Sequence, residues 1–178
     1  MAVVVTLAAS PSPSSRTSCL VSHVRGGLLA RGHDVGHLEL RELPAEALLQ
    51  GRADDPPVRM AVDLVRDADG VVIGTPIYKA SYSGLLKVFL DLLPRHALAG
   101  KCVLPLATGG SPAHALALAY GLHPVLTAMR ARRICPGRFL LDSQFDATEI
   151  LPEATGPLDR AVAEFDDDLS AVLERLPG

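Results

Sequence analysis

Short apolar runs alternate with segments of helical periodicity along almost the whole chain, and that alternation admits very few architectures. Val3, Val4, Val5 and Leu7 form a nearly continuous apolar run, the pattern of a strand covered on both faces of a parallel sheet. A Ser/Pro segment follows from Ser10 to Ser15, and then Leu20, Val21, Val24, Leu28 and Leu29 recur at helical spacing until Gly32 ends the pattern. The same order repeats: a strand over Val35 to Leu40, a helix over Val58 to Arg66, a strand over Val71 to Thr75, a helix over Gly84 to Leu93, and a strand over Cys102 to Ala107. A helix from about Ala113 to Met129, a strand near Ile134 to Phe139 and a helix from Leu158 to Leu176 complete it. Between the second strand and second helix, Leu43 to Pro57 reads as an irregular excursion, with Pro44, Gly51 and an Asp54-Asp55-Pro56-Pro57 turn.

Alternating βα units predict a doubly wound α/β fold: a five-stranded parallel sheet with helices on both faces, in flavodoxin-like order rather than a barrel. At 178 residues the chain fits a single domain over 1–178 and can bury a core without disulfides or metal. A net charge of −3 gives no electrostatic case for nucleic acid. The three cysteines, Cys19, Cys102 and Cys135, form no CxxC pair, so neither a disulfide framework nor a zinc site is expected, and a reducing compartment fits. No basic leader precedes the first strand, and no stretch reaches the ~18 apolar residues of a membrane helix; a cytoplasmic protein is expected.

Other clusters carry little chemistry. His33 and His37 flank a strand start with no third ligand nearby, so no metal is expected there. Asp166-Asp167-Asp168 shares a helix with Val162, Phe165, Leu169 and Val172 and reads as a solvated face. There is no GxSxG elbow, and Cys135 has no evident histidine partner, which removes support for hydrolase chemistry.

In an open parallel sheet, ligands bind beyond the carboxyl ends of the strands, so the loops after the first, third and fourth strands belong together. The first, Ser10-Pro11-Ser12-Pro13-Ser14-Ser15-Arg16-Thr17-Ser18, sets hydroxyls and one cation at a helix start, where a phosphate is attracted. It has neither GxGxxG nor GxxxxGK[ST], which leaves a monophosphate site, or serines that only cap the helix. The second, Pro76-Ile77-Tyr78-Lys79-Ala80-Ser81-Tyr82-Ser83-Gly84, offers tyrosines on which a flat ring could lie. The third, Thr108-Gly109-Gly110-Ser111-Pro112, lets backbone approach a ligand closely. Each loop alone has a plain structural reading; the three together favour a ligand-binding reading over the structural ones.

The segments Thr75-Pro76-Ile77-Tyr78-Lys79-Ala80-Ser81-Tyr82-Ser83-Gly84-Leu85-Leu86-Lys87 and Leu104-Pro105-Leu106-Ala107-Thr108-Gly109-Gly110 resemble the flavin loops of the NADPH-dependent FMN reductase family, nearest its alkanesulfonate-linked branch. Asp91-Leu92-Leu93-Pro94 and His123-Pro124-Val125-Leu126 add to the likeness, which runs from the first strand to about Gln144. The resemblance implies that Ser10, Arg16, Thr17 and Ser18 hold the FMN phosphate, while Pro76, Ile77, Tyr78, Thr108, Gly109, Gly110 and Ser111 flank the ring. One departure is Ala9, where family members often place glycine. It further implies NADPH or NADH as hydride donor, FMN as a loosely bound substrate, and an FMNH2-dependent monooxygenase as the recipient of reduced FMN in organosulfur assimilation. No side chain is then needed as nucleophile or acid–base pair. The other readings are a reductase that keeps FMN and reduces quinones or azo compounds, and a non-enzymatic flavin electron carrier.

The helix from Ala113 to Met129 carries Ala115-Leu116-Ala117-Leu118-Ala119-Tyr120 and is apolar around its circumference. The sheet can cover only one side, so a second copy of the chain is expected on the other, in a dimer or tetramer. Pro124 has no amide for the Tyr120 carbonyl, so irregular winding is expected at Tyr120 and Gly121, a π-type bulge being one form. The resembled branch has such a bulge, with a tyrosine at a tetramer interface tied to flavin release; Tyr120 matches it. A plain proline kink in the core is the other reading.

Overall fold

In a computed structural model of the chain, which describes residues 1–174, the first two βα units form as the periodicity implies. Strand β1 is Val3–Ala8, helix α1 Arg16–Leu29 and strand β2 Asp34–Glu39. The excursion is more ordered than expected: after a 3-10 turn, Ala45–Leu49 forms a short helix α2 that buries Ala47 and Leu48. Helix α3 spans Pro56–Asp67, so the proline pair opens it rather than preceding it, because proline's missing amide costs nothing in a first turn.

Strand β3, Gly70–Tyr78, runs three residues beyond the expected Thr75 and folds back through β4, Ser81–Tyr82, before α4, Gly84–Leu92, and β5, Cys102–Gly109. The expected helix from Ala113 is broken. It comprises a 3-10 turn over Pro112–Ala115, a π-helix over Leu118–Leu122 and helix α5 over His123–Ala128. Pro124 lies in the first turn of α5, and the five-residue winding ends just before it, where a regular i−4 bond to its nitrogen is impossible.

The expected fifth strand is two pieces, β6 at Arg133–Ile134 and β7 at Arg138–Leu141, both parallel to β5. Pro136 between them cannot donate to the ladder, a break tolerated at a sheet edge. A small hairpin of β8, Phe145–Asp146, and β9, Glu149–Ile150, leads to α6. Helix α6 is Pro152–Glu174, six residues earlier than expected at its start; its expected end at Leu176 lies outside the described residues.

The parallel order β2-β1-β3-β5-β6, with β7 also on β5, is the doubly wound flavodoxin-like arrangement. Alternate strand residues serve opposite faces. Val4, Ala8, Val72, Leu104 and Leu106 pack with Leu20, Val21 and Val24 of α1 and Phe165 and Leu169 of α6. Val5, Leu7, Val71, Ile73 and Val103 pack with Val58 of α3, Phe89 of α4, Leu122 of the π-helix and Leu126 of α5. The Asp166-Asp167-Asp168 run is only partly a solvated face. Asp166 accepts from His33 Nε2 at 2.9 Å and Asp168 from Arg133 Nε at 2.9 Å, leaving Asp167 as the exposed member.

One contact decides how closely α1 lies on the sheet. A Cβ on Gly74 of β3 would meet Val21 Cγ2 at 2.2 Å and Thr17 Cγ2 at 3.3 Å, so only glycine lets the first turns of α1 sit here. Gly74→Ala is expected to lower stability in urea by about 1–3 kcal/mol, the usual cost of overpacking, and adding Val21→Ala should recover part of that loss.

Candidate functional site

The hydroxyl-rich first loop has one path because each end is anchored. Ala9 donates its amide to the Gly74 carbonyl at 2.9 Å and accepts from Ser83 Oγ at 2.7 Å. Ala9 is not among the residues with positive φ, so the backbone makes no demand there for the family's usual glycine. Ser10 is 3% exposed, and its Oγ accepts from the Ser12 amide at 3.2 Å. Ser15 caps α1 by accepting from the Ser18 amide at 3.1 Å. Thr17, in the first turn, bonds hydroxyl to hydroxyl with Thr108 at 2.7 Å, tying α1 to the end of β5.

These anchors open a cleft of about 230 Å³ lined by serines 10, 12, 14 and 15, by Arg16 and Thr17, by Pro76, Ile77 and Tyr78, and by Thr108, Gly109, Gly110 and Asp142. Among the described residues, Arg16 and Asp142 are the only charged ones lining it, with Nη1 and Oδ1 3.6 Å apart. The volume is below the ~300 Å³ of pockets that enclose a ligand, and Tyr78 on the rim is 51% exposed.

Two residues depart from the expected site, and one contributes differently than expected. Ser18 points away from the cleft, donating its hydroxyl to Glu39 Oε2 at 3.0 Å beside Arg41. Ser111 does not line it either; its carbonyl closes the 3-10 turn by accepting from the His114 amide at 3.0 Å. Gly109 lines the cleft with its backbone alone, because the side a Cβ would occupy is filled by protein: it would meet His114 Nδ1 at 2.7 Å and Phe139 at 3.3 Å. Gly110 is the glycine with room beside the cleft, its nearest neighbour being Asp142 Oδ2 at 3.4 Å.

Two features escaped the sequence. Lys79 and Ala80 both have positive φ, 50° and 61°, and form the tight turn of the β3–β4 hairpin that carries Tyr78 and Tyr82. Such a turn normally signals itself by Asn-Gly, which is absent here. Asp142 follows β7, a loop outside the three considered; the only clue was that it too follows the carboxyl end of a strand.

Cys102 and Cys135 face each other, both buried, with Sγ atoms 3.4 Å apart, and the Cys135 thiol is 3.3 Å from Asp168 Oδ2. Its hydrogen bond with Cys102, burial and the nearby carboxylate hold the Cys135 thiol far above the ordinary thiol range, so it stays protonated. His33 and His37 serve different neighbours, Asp166 and the Thr6–Glu39 pair respectively.

A cleft with a buried serine, a cation and a helix start at one end and an open tyrosine at the other suits a flavin monophosphate. The family model described as NADPH-dependent FMN reductase matches residues 2–146. The chain belongs to this family. It is 50% identical to an FMN reductase (NADPH) of Pseudomonas putida over 142 residues, 80% of this chain and 72% of that protein. It is 44% identical to an FMN reductase (NADPH) of Escherichia coli over 166 residues, 91% of this chain and 87% of that one. Among solved structures, an NADH:FMN oxidoreductase in its apo form matches with a TM-score of 0.89 at 43% identity, covering 94% of this chain and 90% of that one. The reductase is thus an NAD(P)H-dependent oxidoreductase acting on FMN.

Tyr120 stands apart from the cleft, 79% exposed on the π-helix with Leu116 at 58% beside it. The missing Cβ of Gly121 faces the Tyr82 ring at 3.6 Å, so the π-helix packs directly on the hairpin of the reductase's rim.

The glycine geometry separates two substitutions. Gly109→Val should displace His114 and Phe139 and cost about 1–3 kcal/mol of stability. Gly110→Ala should leave stability within about 0.5 kcal/mol and act on flavin binding instead. Thermal midpoints and FMN titrations of both variants check this; a Gly109→Val protein as stable as wild type would place His114 elsewhere.

Proposed function

We propose that this reductase treats FMN as an exchangeable substrate, reduces it with NADPH or NADH, and releases it to a separate FMNH2-dependent monooxygenase of alkanesulfonate-type organosulfur assimilation. In this reading it is a cytoplasmic homotetramer of single-domain chains, each spanning 1–178. The supporting observation is the makeup of the cleft: serine hydroxyls, Arg16 and the start of α1 share it with Pro76, Ile77 and a Tyr78 that stays half-exposed. No helix among the described residues is long and apolar enough to cross a membrane.

Bound FMN supplies the hydride-accepting chemistry. The chain's work is to hold and orient. Ser10, Arg16 and Thr17 hold the phosphate, with Arg16 supplying charge-assisted hydrogen bonds from a helix start. Pro76, Ile77 and Tyr78 support the ring, and Thr108, Gly109 and Gly110 bring backbone to its edge, where amide donors stabilise negative charge. The uncovered Leu116 and Tyr120 are the surface on which a second chain packs, so that the π-helix joins the interface to the rim hairpin.

Purified protein should be colourless and should oxidise NAD(P)H only when FMN is added. Yellow protein that turns over quinones without added flavin would replace this reading with a bound-flavin reductase. Arg16→Ala should weaken FMN by about 1.5–3 kcal/mol, the range for a hydrogen bond to a charged group, and leave riboflavin nearly unchanged. Equal weakening of both flavins by titration would remove Arg16 from the phosphate.

Deleting Tyr120 should restore regular winding, reduce the assembly measured by light scattering and leave FMN bound through purification, with slower turnover of free FMN. A deletion variant that is colourless, of wild-type size and of unchanged turnover would disconnect the π-helix from flavin exchange.

A further inference from the structure

A phosphate cradle needs cations and neutral donors, yet this one also holds a carboxylate. Asp142 opens the 3-10 turn after β7 and lines the same cleft as Arg16. Its Oδ1 lies 3.6 Å from Arg16 Nη1, with the two side chains 43% and 44% exposed. Among the described residues, neither side chain has another charged partner, so each is the other's sole counter-ion. The second carboxylate oxygen points at Gly110, on the side where backbone approaches the ligand.

The two lining charges cancel, so the cleft presents no net positive charge to a phosphate that carries nearly two negative ones. The pair is loose and half solvated, and such pairs contribute little to stability, so an arriving anion can take the guanidinium at small cost. Once it has done so, the carboxylate remains beside it, and like charges within about 4–6 Å disfavour the charged state of both.

We propose that Asp142 is a resident competitor for Arg16, a carboxylate that holds the guanidinium in the flavin-free protein and opposes the FMN phosphate that replaces it. The residue thereby sets FMN affinity low and its release fast, and it acts on the phosphate alone. This rests on the reading of the cleft as the site of an exchangeable FMN.

The test is titration of wild type, Asp142→Asn and Arg16→Ala with FMN and with riboflavin, followed by stopped-flow dissociation of each flavin. Asp142→Asn is isosteric at a half-exposed position, and circular dichroism verifies its fold. The expected result is FMN affinity tighter by about tenfold, a free-energy change of about 1.4 kcal/mol, with FMN dissociation slowed comparably and riboflavin affinity within twofold of wild type. Weakening of both flavins would overturn the proposal and make Asp142 an acceptor for ribityl hydroxyls; unchanged or weaker FMN binding alone would also overturn it. If Arg16→Ala fails to separate FMN from riboflavin, the phosphate reading falls and the inference with it. If Arg16→Ala separates them but Asp142→Asn does not tighten FMN, only the competition falls.

Discussion

The first turn of α1 is held against the sheet from two directions, and the rest of the cleft follows from that. Gly74 has no Cβ, so Val21 and Thr17 can press onto β3, and the Thr17–Thr108 hydroxyl bond fixes the same turn to β5. Both hydroxyls are buried, and losing either partner would leave the other unsatisfied at about 1–3 kcal/mol. With that turn immobile, Ser10 to Ser15 must arch between the ends of β1 and α1. The arch turns serine hydroxyls and the helix start toward a single small volume, which is the geometry an anion requires.

Around this fixed end the molecule is irregular wherever it would meet the ring. The β3–β4 hairpin turns on two non-glycine residues in left-handed conformation, each costing of order 1 kcal/mol or more, a cost borne only where surrounding structure imposes it. Ser83 imposes it here: its hydroxyl donates to the Ala9 carbonyl and caps α4, while its amide donates to Thr75 Oγ1. The π-helix packs on the same hairpin through Gly121 and Tyr82. Rim, hairpin and π-helix therefore form a contiguous set of contacts beside the phosphate end, joined to it through Ser83 and Ala9. In the proposed function, exchange of flavin belongs to this set and retention of the phosphate to that end.

The alternation of apolar runs and helical periods carried the architecture, because a strand covered on both faces and a helix covered on one leave different, local imprints in composition. Local rules also carried the break before Pro124, since a missing amide acts on its own helix wherever the chain goes. Local order likewise places Ser10, Arg16 and Thr17 around the start of α1, where they line one cleft. Tertiary structure alone decided the rest. Ser18 turns to Glu39 and not to the cleft because β2 places a carboxylate beside it, and Gly109 is filled by His114 because a 3-10 turn replaces the expected helix. Asp142 reaches Arg16 only because β7 pairs beside β5, bringing together residues far apart in sequence. The sequence by itself marked the main strands and helices and their order, because those preferences depend on near neighbours, but not α2, the β3–β4 and β8–β9 hairpins or the split of the fifth strand. Which side chains meet across the carboxyl ends of the strands depended on strand pairing, a long-range choice that no local pattern encodes.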